Sequence, residues 1–94
     1  MLAYIYLERT GDSAFISKRM EDYNKRSDQE LIEIYNQACK LGFVGVHAQA
    51  CSYIALARVF KSRFGSHPFK ITNKVIIEFS GPIRATETGW EYVT

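Results

Sequence analysis

The sequence predicts one small α+β domain spanning residues 1–94, with an antiparallel sheet and helices packed on one face of that sheet. Three observations predict this class. Apolar residues recur at helical spacing through the middle of the chain, and from Phe69 onward they alternate with polar residues. With 94 residues and 47% hydrophobic content, the chain can bury one core and no more. The predicted element order is β-α-α-α-β-β-β, with no linker or internal repeat.

An apolar strand begins the chain and a helix follows it. Residues 2–7 carry strand-forming side chains on both faces, which is typical of a strand that is covered on both sides. The Thr-Gly-Asp-Ser segment at 10–13 has turn chemistry, and Asp12 or Ser13 is expected to cap the next helix. That helix is predicted over residues 14–25. Its apolar stripe consists of Phe15, Ile16, Met20 and Tyr23.

Two stronger helical patterns come next. Ser27 and Glu30 have the spacing of a capping box, in which each side chain accepts the other residue's backbone N–H, and Gly42 ends the helix that they begin. The apolar face of this helix contains Leu31, Ile34, Tyr35, Ala38 and Leu41. The longest helix is predicted from residue 46 to about residue 64, and Gly65 terminates it. Because the connection is short, these two helices are expected to pack as a hairpin.

The end of the chain has the pattern of antiparallel strands. Five apolar residues share one face at a period of two: Phe69, Ile71, Val75, Ile77 and Phe79. Asn73 interrupts this face, which indicates a turn or bulge near residues 72–73. Residues 83–86 and 90–93 flank a Glu-Thr-Gly segment, which predicts a closing hairpin. The N-terminal strand is expected to pair among these strands, so that the helices cover their apolar face.

Positive charge is concentrated in one segment. The net charge is only +2, yet residues 58–74 hold five of the twelve basic residues and none of the ten acidic ones. The five are Arg58, Lys61, Arg63, Lys70 and Lys74. Aromatic residues are interleaved with them, and cations beside aromatic rings hold single strands or RNA without sequence readout. The segment therefore predicts a nucleic-acid or phosphate-ligand site; in the alternative interpretation, the cations form a solvated face and the rings belong to the core.

Aromatic side chains near both termini indicate a contact surface. The first strand has two tyrosines on one face and Ile5 and Leu7 on the other, while an aromatic pair shares a face of the last strand. If helices cover one side of the sheet, one such set remains for a partner, and Tyr and Trp are enriched where partners meet. Four residues are expected to make this contact: Tyr4, Tyr6, Trp90 and Tyr92. The favoured interpretation is a non-enzymatic inhibitor, adaptor or accessory factor that self-associates or binds a protein.

No catalytic or metal site is predicted. His47 and Cys51 stand four residues apart on a helix, but Cys39 and His67, which would complete a zinc site, lie far from that pair in the sequence. A Cys–His nucleophile needs a depressed thiol pKa and an orienting group, and no local signature supplies either. Glycine-rich phosphate loops and hydrolase motifs are absent from the sequence. We therefore expect no enzymatic activity, no cofactor and reduced cysteines.

Two further classes of protein are disfavoured. Specific duplex readout by the third helix is not expected, because its first three turns contain no Arg or Lys to contact phosphate. A membrane protein is not expected either, since no apolar run approaches the roughly 18 residues of a spanning helix. Residues 1–7 lack the basic start and cleavage site of a signal peptide, and two cysteines do not make a disulfide framework. The expected location is the cytoplasm.

Overall fold

A computed structural model describes residues 3–93, and within them it contains three helices and five strands. In chain order the elements are β1 (Ala3–Ile5), α1 (Asp12–Asn24), α2 (Asp28–Leu41), α3 (His47–Phe64), β2 (Phe69–Thr72), β3 (Ile76–Phe79), β4 (Ile83–Thr86) and β5 (Gly89–Tyr92). The predicted α+β class is confirmed. Leu2, which the sequence pattern placed in the first strand, lies outside the described residues.

One strand more is present than the predicted order contains, because a tight turn separates β2 from β3. Asn73 and Lys74 have φ angles of 52° and 63°, in the left-handed region that both central residues of a type I′ hairpin turn adopt. Across this turn Ile71 lies opposite Ile77, and on the other side of β3 Tyr4 of β1 lies opposite Ile77. The strand order is therefore β1-β3-β2, all antiparallel, with β1 and β2 as edge strands.

The last two strands form a separate two-stranded sheet, where the sequence predicted a single sheet. The break falls between β3 and β4. Gly81 has a φ angle of 108°, a backbone conformation that residues other than glycine rarely adopt. Pro82 has no N–H with which to continue the hydrogen-bond ladder of a sheet. The chain therefore leaves the first sheet here and starts a new hairpin.

Two adjacent side chains of α2 hold this hairpin in place. The Asn36 amide donates to the carbonyl of Ile83 (2.8 Å) and accepts from its N–H (2.9 Å). The Tyr35 hydroxyl lies 2.8 Å from the carbonyl oxygen of Gly81 and 3.1 Å from that of Pro68, so its single proton is shared between them. These bonds tie α2 to the segments that precede β2 and β4.

The helix starts follow the sequence signals except at α1. The Ser27 hydroxyl accepts from the Glu30 N–H and the Glu30 carboxylate accepts from the Ser27 N–H, so the predicted capping box is confirmed. The prediction that Asp12 or Ser13 caps α1 is wrong. Gly11, with a φ angle of 91°, precedes the helix, and no side chain caps it. Asp12 is the first helical residue, and its carboxylate hydrogen-bonds to other parts of the chain.

The core is built around α3, which contacts α1 more extensively than it contacts α2. Ile16 of α1 packs against Cys51 and Ala55, whose small side chains allow the two helices to approach closely. The predicted α2–α3 hairpin is therefore not the main helical contact, although Tyr35 and Phe60 join both helices to one cluster. Within residues 3–93, none of the helices is both long enough and apolar enough to cross a bilayer.

Candidate functional site

A pocket of about 600 Å³ lies between α3 and the strands β2 and β3. Its apolar lining comes from Ile54 and Ala57 on one side and from Ile71 and Ile77 on the other. Ile71 and Ile77 lie directly opposite each other on the inner face of the sheet. Ile71 nevertheless remains 40% exposed, and its side chain lines the pocket.

Three cations surround this apolar lining. Arg58 and Lys61 stand three residues apart on α3, and Lys74 lies in the β2–β3 turn. Among the described residues that line the pocket none is acidic, and cations without a neighbouring acid in a lining favour an anionic ligand. His67 also lines the pocket; burial, and then the charge of Lys61, lower the pKa of its imidazole below 6.5.

The other two cations of the predicted basic segment lie elsewhere. The Arg63 guanidinium binds the junction between α1 and α2, 2.6 Å from the carbonyl oxygen of Arg26 and 3.2 Å from the carboxylate of Asp28. Lys70 is opposite Glu78 in the β2–β3 register, on the sheet face that points away from the helices. The structure therefore divides the five cations and brings three of them to one pocket.

The aromatic residues interleaved with those cations are part of the core. Phe60 and Phe69 are buried and Phe64 is partly buried against them. Phe64 stacks edge-on against Phe60, with ring centroids 5.3 Å apart. These rings are therefore not platforms on which bases could stack.

The four aromatic residues predicted to form one contact surface lie in two different sheets. Tyr4 of β1 and Tyr6, which directly follows that strand, pack against the core, and both are partly buried. Trp90 and Tyr92 form an edge-on pair in the second sheet, 5.1 Å between centroids, and Tyr92 is 42% exposed. The exposed apolar residues of β1 and its extension are instead Ile5 and Leu7, at 66% and 65%.

A buried polar cluster centred on Asp12 shares one residue, Tyr6, with the pocket. One oxygen of the Asp12 carboxylate accepts hydrogen bonds from the Tyr6 hydroxyl (2.7 Å), the Arg9 N–H (2.7 Å) and His47 Nε2 (2.8 Å). Burial raises the pKa of Asp12, but the bonds from His47, Arg9 and Tyr6 outweigh it and hold this pKa well below its usual range. The carboxylate is therefore ionised, and Nε2 of His47 carries the proton in this bond.

Tyr4 and Cys51 lie beside the Asp12–His47 pair. Asp12, His47 and Cys51 together form an Asp–His–Cys cluster. The Tyr4 hydroxyl lies 3.1 Å from His47 Nδ1, the second ring nitrogen. Cys51, one helical turn after His47, is 1% exposed, and its Sγ lies within 4.8 Å of the ligand atoms of Asp12 and His47. Burial, and then the Asp12 charge, raise the pKa of the Cys51 thiol. A protonated, inaccessible thiol does not have the character of a catalytic nucleophile.

Asp12 is the member of this cluster that sequence reasoning missed. His47 and Cys51 share a helix face as their spacing indicated, and the ligand atoms of the three residues all lie within 4.8 Å of one another. Cys39 on α2 and His67 at the pocket, the two ligands suggested by composition, are not members of this group. The local sequence around Asp12 indicates a helix cap, and no local signal relates it to a residue 35 positions later.

Comparisons with protein families, with curated proteins and with solved structures found no match to this chain.

Proposed function

We propose that this chain is a non-enzymatic binding protein whose pocket holds a small ligand with a phosphate group on an apolar or aromatic body, such as a nucleotide. The observation that carries the proposal is the pocket itself, which combines an apolar lining with three cations and no acid among its described residues. Its volume of about 600 Å³ falls within the roughly 300–1,000 Å³ that is typical of small-molecule sites.

The chemistry of the lining suggests how the two ends of such a ligand would be held. Ile54, Ile71 and Ile77 offer an apolar surface to the body of the ligand, from which water is then displaced. Arg58 can bind two phosphate oxygens through its planar guanidinium, and Lys61 adds a mobile point charge on the same side of α3. A low-dielectric lining strengthens both interactions relative to bulk water.

A small ligand is favoured over a nucleic-acid strand. A strand would need a run of cations along its backbone and stacking rings for its bases. Arg63 and Lys70 lie away from the pocket, and Phe60 and Phe69 are buried in the core. The three cations that remain at the pocket match one phosphate group better than the row of phosphates in a nucleic-acid strand.

Titration calorimetry with a nucleoside monophosphate, its parent nucleoside and inorganic phosphate tests this proposal. We expect the monophosphate to bind best, and its affinity to fall roughly 10–100-fold in Arg58→Ala and in Lys61→Ala, because each variant loses a charge-assisted hydrogen bond. Lys70→Ala is the matched control, since it removes the same charge from the opposite sheet face. An equal loss in Lys70→Ala, or tighter binding of an RNA oligomer than of the nucleotide, would contradict the proposal.

A second candidate function is self-association through the outer face of the first sheet. This face carries exposed Ile5 beside Ile76, together with the opposed pair Lys70 and Glu78. A second copy related by a two-fold axis can pair each ammonium with the partner's carboxylate over the apolar residues, so the face is complementary to itself. β1 is also an edge strand with an unpaired side that can add a strand.

Light scattering at low and high salt tests this second candidate. We expect a dimer for the unmodified chain and a monomer for Ile5→Lys, which buries a charge in the contact. Leu41→Lys is the control, because Leu41 is equally exposed but lies at the end of α2. A monomer at both salt concentrations, or a dimer that survives Ile5→Lys, refutes the candidate.

A cytoplasmic location remains part of the proposal; the free state of Cys39 and Cys51 supports it.

A further inference from the structure

We propose that Asp12, His47 and Cys51 form a zinc-binding site. Their ligand atoms, a carboxylate oxygen, a ring nitrogen and a thiol sulfur, all lie within 4.8 Å of one another. All three side chains are largely shielded from solvent. Oxygen, nitrogen and sulfur donors together suit Zn²⁺, which accepts each of these ligands and is bound by three of them in open protein sites.

The fold presents these donors from two helices. His47 and Cys51 are one turn apart on α3 and therefore project from the same face, while Asp12 comes from the first turn of α1, which packs against that face. Around a tetrahedral zinc ion, bond lengths of about 2.0–2.3 Å place ligand atoms about 3.3–3.8 Å apart. Side-chain shifts of about 1 Å are sufficient to reach that geometry from the separations observed.

Two tyrosines occupy the positions of outer-sphere partners. Zinc-binding histidines nearly always hydrogen-bond through the second ring nitrogen, and Tyr4 lies 3.1 Å from His47 Nδ1. Zinc-binding carboxylates are likewise hydrogen-bonded, and the Tyr6 hydroxyl donates to Asp12 at 2.7 Å. Each tyrosine therefore orients a metal-binding side chain and does not itself bind the metal.

Binding exchanges protons for the metal in a balanced way. The ion takes the place of the Cys51 thiol proton, which is released to solvent. At His47 the Nε2 proton is lost to solvent as the metal binds there, and Nδ1 takes up a proton from solvent in exchange. The imidazole thus stays neutral with its one proton on Nδ1, and this N–H donates a hydrogen bond to the Tyr4 oxygen. Three protein ligands leave a fourth position for water. The site is a different one from the phosphate pocket, with Tyr6 as the residue that the two have in common.

Cobalt substitution tests the site directly. We titrate the reduced, chelator-treated chain with Co²⁺ and record the sulfur-to-cobalt charge-transfer absorption, which appears only when a thiolate binds the metal. We expect one equivalent to bind with this absorption, and Zn²⁺ to displace it. Cys51→Ser abolishes the absorption, whereas the matched control Cys39→Ser keeps it, because Cys39 is not a member of the cluster. No thiolate absorption in the unmodified chain, or its loss only in Cys39→Ser, overturns the proposal.

A second set of variants separates metal binding from folding. Zn²⁺ affinity, measured by competition with a chromophoric chelator, is expected to fall roughly 10–100-fold in Tyr4→Phe, which keeps the ring and removes only the outer-sphere hydroxyl. His47→Gln is expected to lose metal binding, while His67→Gln keeps it. Circular dichroism without metal confirms that each variant is folded. Unchanged zinc affinity in folded Tyr4→Phe and His47→Gln would exclude the site.

Discussion

Replacing Tyr35 by Phe is expected to lower the free energy of unfolding by about 2 kcal/mol. The ring is completely buried and Phe fills the same space, so the variant removes one hydroxyl without leaving a cavity. That hydroxyl is shared between the carbonyl oxygens of Gly81 and Pro68. Its loss costs about 1 kcal/mol for the hydrogen bond itself and a further ~1 kcal/mol for leaving a buried carbonyl unsatisfied.

Urea denaturation measures this change. The single tryptophan, Trp90, lies in the second sheet and reports its unfolding by fluorescence, while circular dichroism follows the three helices. For a domain of this size, ~2 kcal/mol corresponds to a melting temperature lower by roughly 8–16 °C. Tyr92→Phe is the control, because Tyr92 is substantially exposed and its loss is expected to cost less than ~0.5 kcal/mol. If Tyr35→Phe is as stable as Tyr92→Phe, the argument that Tyr35 ties α2 to the strand segments is refuted.

Three further predictions concern stability. Ser27→Ala removes one half of the capping box and is expected to cost about 1 kcal/mol in urea denaturation, whereas a cost near zero would mean that water replaces the cap. Asn36→Leu breaks both hydrogen bonds to Ile83 and is expected to cost about 2 kcal/mol and to separate the fluorescence and dichroism transitions; coincident, unshifted transitions would contradict it. Because burial and then Lys61 lower the pKa of His67 below 6.5 in the folded chain, the unfolded chain binds more protons between these two pKa values. The free energy of unfolding should therefore fall as the pH drops through that window, and the fall should be smaller in His67→Gln; an identical pH profile for the two chains would refute it.

Helix positions and ends were predictable because their signals are local. The capping box at Ser27 and Glu30 joins residues three apart, and Gly42 and Gly65 end helices with positive φ angles of 70° and 84°, which favour glycine. The predicted cap of α1 was wrong because Asp12 bonds to a side chain that is distant in the sequence. A side chain such as Asp12 can cap a helix or bond elsewhere, and its choice depends on partners that the local sequence does not name.

The candidate sites were predictable only in part. The charge pattern grouped five cations as an alternative binding surface, and three of them, Arg58, Lys61 and Lys74, line one pocket. The same pattern included Arg63 and Lys70, which point elsewhere, because a strand alternates its faces and a helix rotates by 100° per residue. The number of charged residues in a segment does not say in which direction each side chain points.

What the sequence by itself determined is the three helices with most of their ends and the strand character of the terminal segments, together with a segment rich in positive charge. These properties depend on residues a few positions apart, whose spacing acts through backbone geometry. Only the tertiary structure decided that Asp12 meets His47 and Cys51, and that a gap between α3 and β2 becomes a pocket. Those outcomes depend on how α1 and the first sheet pack against α3, and packing is a property of many distant side chains acting together.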